Sequence, residues 1–208
     1  MQHFTVLVLL TIFFRAHANF DNDTEESTEP PEIDDSPITN PLYFAVNTMQ
    51  PVWVTQKNLS TKVTCEYFRL QYLSSTTYGF LHGYTNAGNE IASKDERTAM
   101  FGGENEVYPW MYVLPEENKP GRNYSLRYWN DTENCAIFTT QDLETANPLC
   151  EMHVWNSTIG RQLTECSRVY NDHCNSSHPV YNSTCQAYVE KEDFLEFKIS
   201  DYFRDMLD

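Results

Sequence analysis

The sequence predicts an all-β domain, a sandwich or barrel of about eight strands, with a helix laid against its outside. Short runs rich in Tyr, Phe, Val and Thr follow one another from residue 42 to 155, parted by turn-forming clusters such as NAGNE and PEENKPGRN. Regular short strands with such turns are the mark of a sandwich or barrel. Six cysteines form an even set, five of them in the last third of the chain. In a secreted chain such a set reads as a disulfide framework.

Taken in order, residues 1–18 read as a signal peptide. An apolar run from Thr5 to Phe14 is followed by Arg15 and by small residues at Ala16 and Ala18, leaving Asn19 as the first mature residue. The run is short of the roughly 20 residues a membrane-spanning helix needs. Residues 19–41 (DNDTEESTEPPEIDDSP at their centre) are acidic and lack apolar periodicity, so a disordered arm is expected. The barrel domain is expected over 42–190, with strands at 42–49, 61–73, 76–85, 91–101, 107–114, 123–130, 134–140 and 149–155. In 61–73, Val63, Cys65 and Tyr67 alternate on one parity and Phe68, Leu70 and Tyr72 on the other. That shift predicts a bulge or a sharply curved strand, as barrel closure requires. A helix is expected over about 160–173. The tail, 191–208, carries Leu195, Ile199, Tyr202, Phe203 and Met206 on one helical face.

If Cys166 and Cys174 lie on or near one helix, eight residues separate them by about 12 Å. Bridged Cα atoms stay within roughly 4.4–6.8 Å. Each then needs a partner elsewhere, and Cys135 and Cys150, on the last two strands, are the nearest candidates. A helix cannot enter a small barrel, so both strand cysteines must point outward. Strand side chains alternate; Met152 and Val154 follow Cys150 outward, while Glu151, His153 and Trp155 turn inward, as do Ala136 and Phe138. A buried carboxylate needs a partner. For Glu151 that is Arg127, a tyrosine hydroxyl or a cationic ligand, unless it sits at the rim in solvent.

The formal net charge is −16, from 30 acids and 14 bases. This argues against nucleic acid and anionic membrane surfaces as partners. No Gly-X-Ser-X-Gly, His-Glu-X-X-His or phosphate loop occurs, so no enzyme is expected. Neither a cofactor nor a metal site is expected, since secreted cysteines form disulfides rather than thiolate ligands. Asn-X-Ser/Thr sequons at Asn22, Asn58, Asn123, Asn130, Asn156, Asn175 and Asn182 predict glycans on a secreted chain. Asn182 lies three residues before Cys185, where a disulfide crowds it.

Several short elements, taken in their order and spacing, carry a resemblance. They are Pro51-Val52-Trp53, the early Cys65, GYTNAG at 83–88, the series Cys135, Glu151, Cys166, Cys185, and the closing VYNSTC at 180–185. On these the chain resembles the tick salivary lipocalins, the histamine-binding family, from about Leu42 to Cys185. The resemblance implies an eight-stranded antiparallel barrel with an attached C-terminal helix, holding a small molecule. It implies the pairs Cys65–Cys185 and Cys135–Cys166, with Cys150–Cys174 as a third bridge. It also implies Trp53 and Glu151 as ligand contacts. Amine-binding members carry further acids where this chain has Gln50 and Ala136. A primary amine in a dry barrel wants carboxylates around it, so histamine and serotonin lose support here.

The expected function is therefore a secreted, monomeric salivary lipocalin that sequesters a small host mediator, an amine or a lipid such as a leukotriene, during feeding. Aromatic walls would come from Trp53, Trp110, Tyr112 and Tyr124. Glu151 would suit an amine, and Arg127 or His153 a fatty carboxylate. The alternative is a secreted barrel filled by side chains that acts by binding host proteins.

Overall fold

The computed structural model describes residues 39–86, 92–103, 106–117, 119–141 and 148–189. The signal peptide, most of the acidic arm with Asn22, and the tail helix lie outside these residues.

Eight strands close into an antiparallel up-and-down barrel. They are β1 (Val52–Lys57), β2 (Val63–Leu73), β3 (Thr77–Asn86), β4 (Ala92–Gly102), β5 (Trp110–Val113), β6 (Arg122–Asn130), β7 (Cys135–Gln141) and β8 (Pro148–Trp155). Each pairs with the next in sequence, and β1 pairs with both β8 and β2 to close the ring. The β1–β2 seam is short, joining Val52 to Phe68 and Trp53 to Tyr67. Beyond it a two-residue strand, β9 (His178–Pro179), takes over the free edge at Gln56 and Lys57. Seven expected strands are present with ends shifted by a few residues. As predicted, β2 is irregular: its register with β3 slips between Thr64 and Tyr67 and again between Leu70 and Tyr72.

The run 42–49 is not a strand. Pro41–Val46 forms a helix, α1. Asn40 accepts the Leu42 amide at 2.9 Å, and Pro41 stands in the first turn, where its missing N–H costs nothing. Leu42, Ala45 and Val46 fall on one side and enter the barrel core, while Phe44 faces out. The count of eight strands is kept because β1, which lies outside the expected strand runs, replaces it.

The second helix, α2 (Thr164–His173), lies outside β7 and β8, four residues shorter at its start than the expected stretch. Cys166, Val169 and Tyr170, with Cys174 at its end, pack on Cys135, Ile137, Cys150, Met152 and Val154. The outward and inward parities expected for β7 and β8 are those observed: Ala136, Phe138 and Trp155 belong to the inner cluster. Bridges join Cys65 to Cys185, Cys135 to Cys166 and Cys150 to Cys174. This is the pairing that the resemblance implies. A third cluster, Trp53, Cys65, Tyr67, Cys185 and Val189, covers the outside of the β1–β2 seam.

Candidate functional site

The barrel interior holds a chain of charged and polar side chains from four strands. A bulge between Val54 and Gln56 changes the phase of β1. Val52 and Val54 already face inward, so the extra residue brings Lys57 to the same face. On β2, Glu66 alternates inward with Phe68; on β3, His82 alternates with Tyr78 and Phe80; on β8, Glu151 alternates with His153.

Lys57 Nζ lies 2.6 Å from Glu66 Oε2 and 3.1 Å from Glu151 Oε1. The second oxygen of each carboxylate meets an imidazole: Glu66 Oε1 to His82 Nε2 and Glu151 Oε2 to His153 Nε2, both at 2.9 Å. Phe68 lies between the two imidazoles, nearly parallel to both, with ring centroids 4.9 Å from His82 and 5.1 Å from His153. The sequence His82–Glu66–Lys57–Glu151–His153 thus closes on itself around one phenyl ring.

Burial disfavours every charge in this chain, and pairing overcomes it. Burial would lower the Lys57 pKa, but the carboxylates of Glu151 and Glu66 hold it above the usual lysine range. Burial would raise Glu66, yet Lys57 and His82 bring it below the usual carboxylate range. Glu151 is lowered in the same way by Lys57 and His153, against repulsion from Glu66. Burial also raises Tyr78 and Tyr124, which stay neutral phenols.

Three of the seven expected ligand contacts come together here: Glu151, His153 and Tyr124, the last among the inner apolar residues. The other four face outward. Trp53 packs between Tyr67 and Tyr181 and donates its indole N–H to Asn156 Oδ1 at 2.8 Å. Its neighbours Val52 and Val54 take the inner face, so alternation sends Trp53 out. Trp110 and Tyr112 flank the inward Met111 on β5 and lie over Gly102 and Gly121. Arg127 follows the inward Leu126; its guanidinium bonds Thr139 at 2.7 Å and covers the Tyr108 ring at 4.2 Å. Lys57, Glu66, His82 and Phe68 were not anticipated. Parity along β2 and β3 could have placed three of them. Lys57 is hidden by the bulge, in a stretch to which the sequence pattern assigns no strand.

Around the polar chain the interior is apolar. A chamber beside α1 is bounded by Val46, Val52, Phe68, Tyr78, Phe138 and His153, and its volume is about 10 Å³. A larger hollow of about 350 Å³ lies at Gln71, Tyr72, Phe80, Glu96, Arg97 and Thr98, and touches no member of the polar chain. Among the described residues the grouping of potential metal ligands is Glu133, Cys135 and Cys166. Those two cysteines are bridged to each other.

No protein-family model matches the chain, and no curated protein matches it in sequence. Its fold is found among solved structures. Japanin from the tick Rhipicephalus appendiculatus, determined bound to cholesterol, superposes with a TM-score of 0.51 at 16% identity, over 68% of this chain and 98% of that one. AM182, determined in complex with serotonin, superposes with a TM-score of 0.51 at 13% identity, over 69% and 91%. The closed eight-stranded barrel with its external helix is therefore a lipocalin-type barrel, a fold this chain shares with a tick protein.

Proposed function

We propose that this protein is a secreted tick salivary lipocalin that sequesters a small host mediator, and that the mediator is a lipid rather than an amine. The observation that carries this is the polarity of the interior. The chamber beside α1 is walled by apolar side chains, and its polar groups are confined to His153 and Tyr78, which suits an apolar body with a small polar head. The carboxylate that could have held an amine, Glu151, is already paired with Lys57 and His153. Japanin bound to cholesterol offers a parallel of the same fold. Entry requires α1 to give way, because the chamber of about 10 Å³ holds at most one water. The helix is six residues long, tied to the barrel by the Trp155 indole N–H on the Ala45 carbonyl at 2.9 Å.

Three disulfides fit an oxidising compartment. No helix among the described residues is long and apolar enough to cross a membrane. Of the sequons, Asn123 and Asn175 are exposed and are proposed to carry glycans; Asn182 is exposed but is engaged as a cap on Thr184 beside Cys185, and Asn58, Asn130 and Asn156 are partly covered by their own hydrogen bonds. We expect binding by a monomer, with no catalysis.

Calorimetric titration of the purified, glycosylated protein tests the reading. A leukotriene or cholesterol should bind, while histamine and serotonin should not. Saturable binding of the amines with none of the lipids would reverse the preference, and no binding by any of the four would overturn the carrier reading.

A second reading draws on the small size of the same chamber. A barrel filled by its own side chains is a scaffold for contacts with host proteins. Native mass spectrometry of material purified from its own source separates the two: a co-purifying small molecule supports the carrier, and a co-purifying host protein alone supports the scaffold.

A further inference from the structure

Lys57 occupies a position that the rest of the barrel has built for a primary ammonium. Each carboxylate beside it is fixed from behind by an imidazole, His82 on Glu66 and His153 on Glu151. Each then presents its remaining oxygen to one point, where Nζ sits at 2.6 and 3.1 Å. Those two oxygens are fully buried and make no hydrogen bond with any other described group. The side chains concerned are almost wholly withdrawn from solvent, at 7% exposure for Lys57, 5% for Glu66 and 0% for Glu151. Two carboxylates face one ammonium, so the point is acidic even with Lys57 in place. The strands hold this cup without help from the lysine's own backbone position. Glu66 is set by β2 and Glu151 by β8, and Lys57 reaches it only because β1 bulges between Val54 and Gln56.

We propose that the Glu66–Glu151 pair is a primary-ammonium site occupied in cis by Lys57, and that this occupation keeps small amines out of the barrel. The inference deepens the carrier reading: it names the residue that turns this interior away from amines and toward uncharged or lipid mediators. A lysine here is a tethered ligand. Its effective concentration at the cup is set by one strand, so a free amine at ordinary concentration cannot displace it. Removing the side chain beyond Cβ leaves two desolvated carboxylates and a space the length of a propyl ammonium.

The test is chemical rescue of Lys57→Ala in the full chain. Its melting temperature should rise saturably with added n-propylammonium, by on the order of 5 °C near saturation. Propanol lacks the charge and tetramethylammonium lacks N–H donors; neither should reproduce the rise. Wild type should not respond, because its site is filled. Lys57→Met should not respond either, because the thioether chain fills the space. Where Lys57→Ala does not fold alone, refolding is carried out with and without n-propylammonium, and recovery of near-ultraviolet circular dichroism is read. Lys57→Ala/Glu66→Gln, with one buried charge fewer, is the second variant. If neither variant responds to propylammonium more than wild type does, the site does not exist. Rescue is independent of the lipid titrations. Rescue without lipid binding would keep the ammonium site and discard the carrier reading; lipid binding without rescue would do the reverse.

Discussion

Glu133 Oε2 accepts the backbone amide of Cys166 at 2.9 Å, from a turn 33 residues earlier in the chain. Its other oxygen accepts the amide of Glu165 at 3.0 Å. The first turn of α2 is otherwise bare, since Leu163 at its N-cap offers no side-chain acceptor. A helix start leaves several amides without partners, and here a carboxylate from the β6–β7 turn supplies what the local sequence lacks. Glu133→Ala should cost about 1–2 kcal/mol in a urea titration. Glu133→Gln keeps one acceptor and should cost less. An unchanged midpoint for the alanine variant would show that the disulfide Cys135–Cys166 alone holds the helix in place.

The buried ion chain predicts a pH profile whose sign is set by the direction of each shift. Glu66 and Glu151 are depressed in the fold, so their contribution is complete above the ordinary glutamate range and is lost as pH falls toward their lowered values. Lys57 is raised, so its contribution is complete below the ordinary lysine range and is lost as pH climbs toward its folded value. The contribution of these three groups should therefore be flat from about pH 5 to pH 10. Urea midpoints should fall below that window. Lys57→Met should cost about 3–5 kcal/mol at neutral pH, since it orphans two buried carboxylates. Without the ammonium, burial raises both carboxylates, so the variant should gain stability on acidification from pH 7 to pH 5 while wild type does not. A parallel fall in both proteins would contradict the assignment.

The three disulfides should contribute unequally. Cys65–Cys185 closes 120 residues and joins β2 to the segment that covers the β1–β2 seam. Cys150–Cys174 closes 24 residues between β8 and the end of α2. Loop-closure entropy favours the longer bridge, on the order of 5 against 3 kcal/mol. Paired serine substitutions at 65 and 185 should lower the melting temperature more than those at 150 and 174. The opposite order would place the stabilisation in native packing around α2 rather than in the unfolded chain.

Much of this architecture was legible because burial on β7 and β8 is decided by simple alternation. Cysteine geometry put Cys135 and Cys150 outward, and that fixed Glu151 and His153 inward. Alternation gives no guide where the chain departs from it. Thr55 is one residue too many for β1, and it turns Lys57 from an outward lysine into the centre of the interior network. The resemblance implies Trp53 as a ligand contact, but strand parity set by Val52 and Val54 places it under the C-terminal segment. Residues 42–46 are apolar enough for a strand; Asn40 and Pro41 decide for a helix through a cap that is local and was readable. Arg127, Trp110 and Tyr112 look like pocket residues by type alone, and type does not carry a direction.

Two glycines on β3 separate rigid from yielding parts of the barrel wall. A Cβ at Gly83 would lie 2.3 Å from the Tyr67 ring, and one at Gly79 would lie 2.0 Å from the Tyr72 ring. The contacts are alike in distance and opposite in consequence. Tyr67 is 1% exposed and locked against Trp53, with ring centroids 5.2 Å apart, beneath the Cys65–Cys185 bridge. Tyr72 is 52% exposed and can swing into solvent, giving up its hydroxyl contact with Thr98. Gly83→Ala should therefore cost about 1–3 kcal/mol, as overpacking does in a filled core. Gly79→Ala should cost under about 1 kcal/mol, the range of surface changes. Because Trp53 must move with Tyr67, Gly83→Ala should also alter the near-ultraviolet circular dichroism, and Gly79→Ala should leave the Trp53 signal alone. Equal costs in the two variants would mean that the seam between β1 and β2 gives way as easily as the open face.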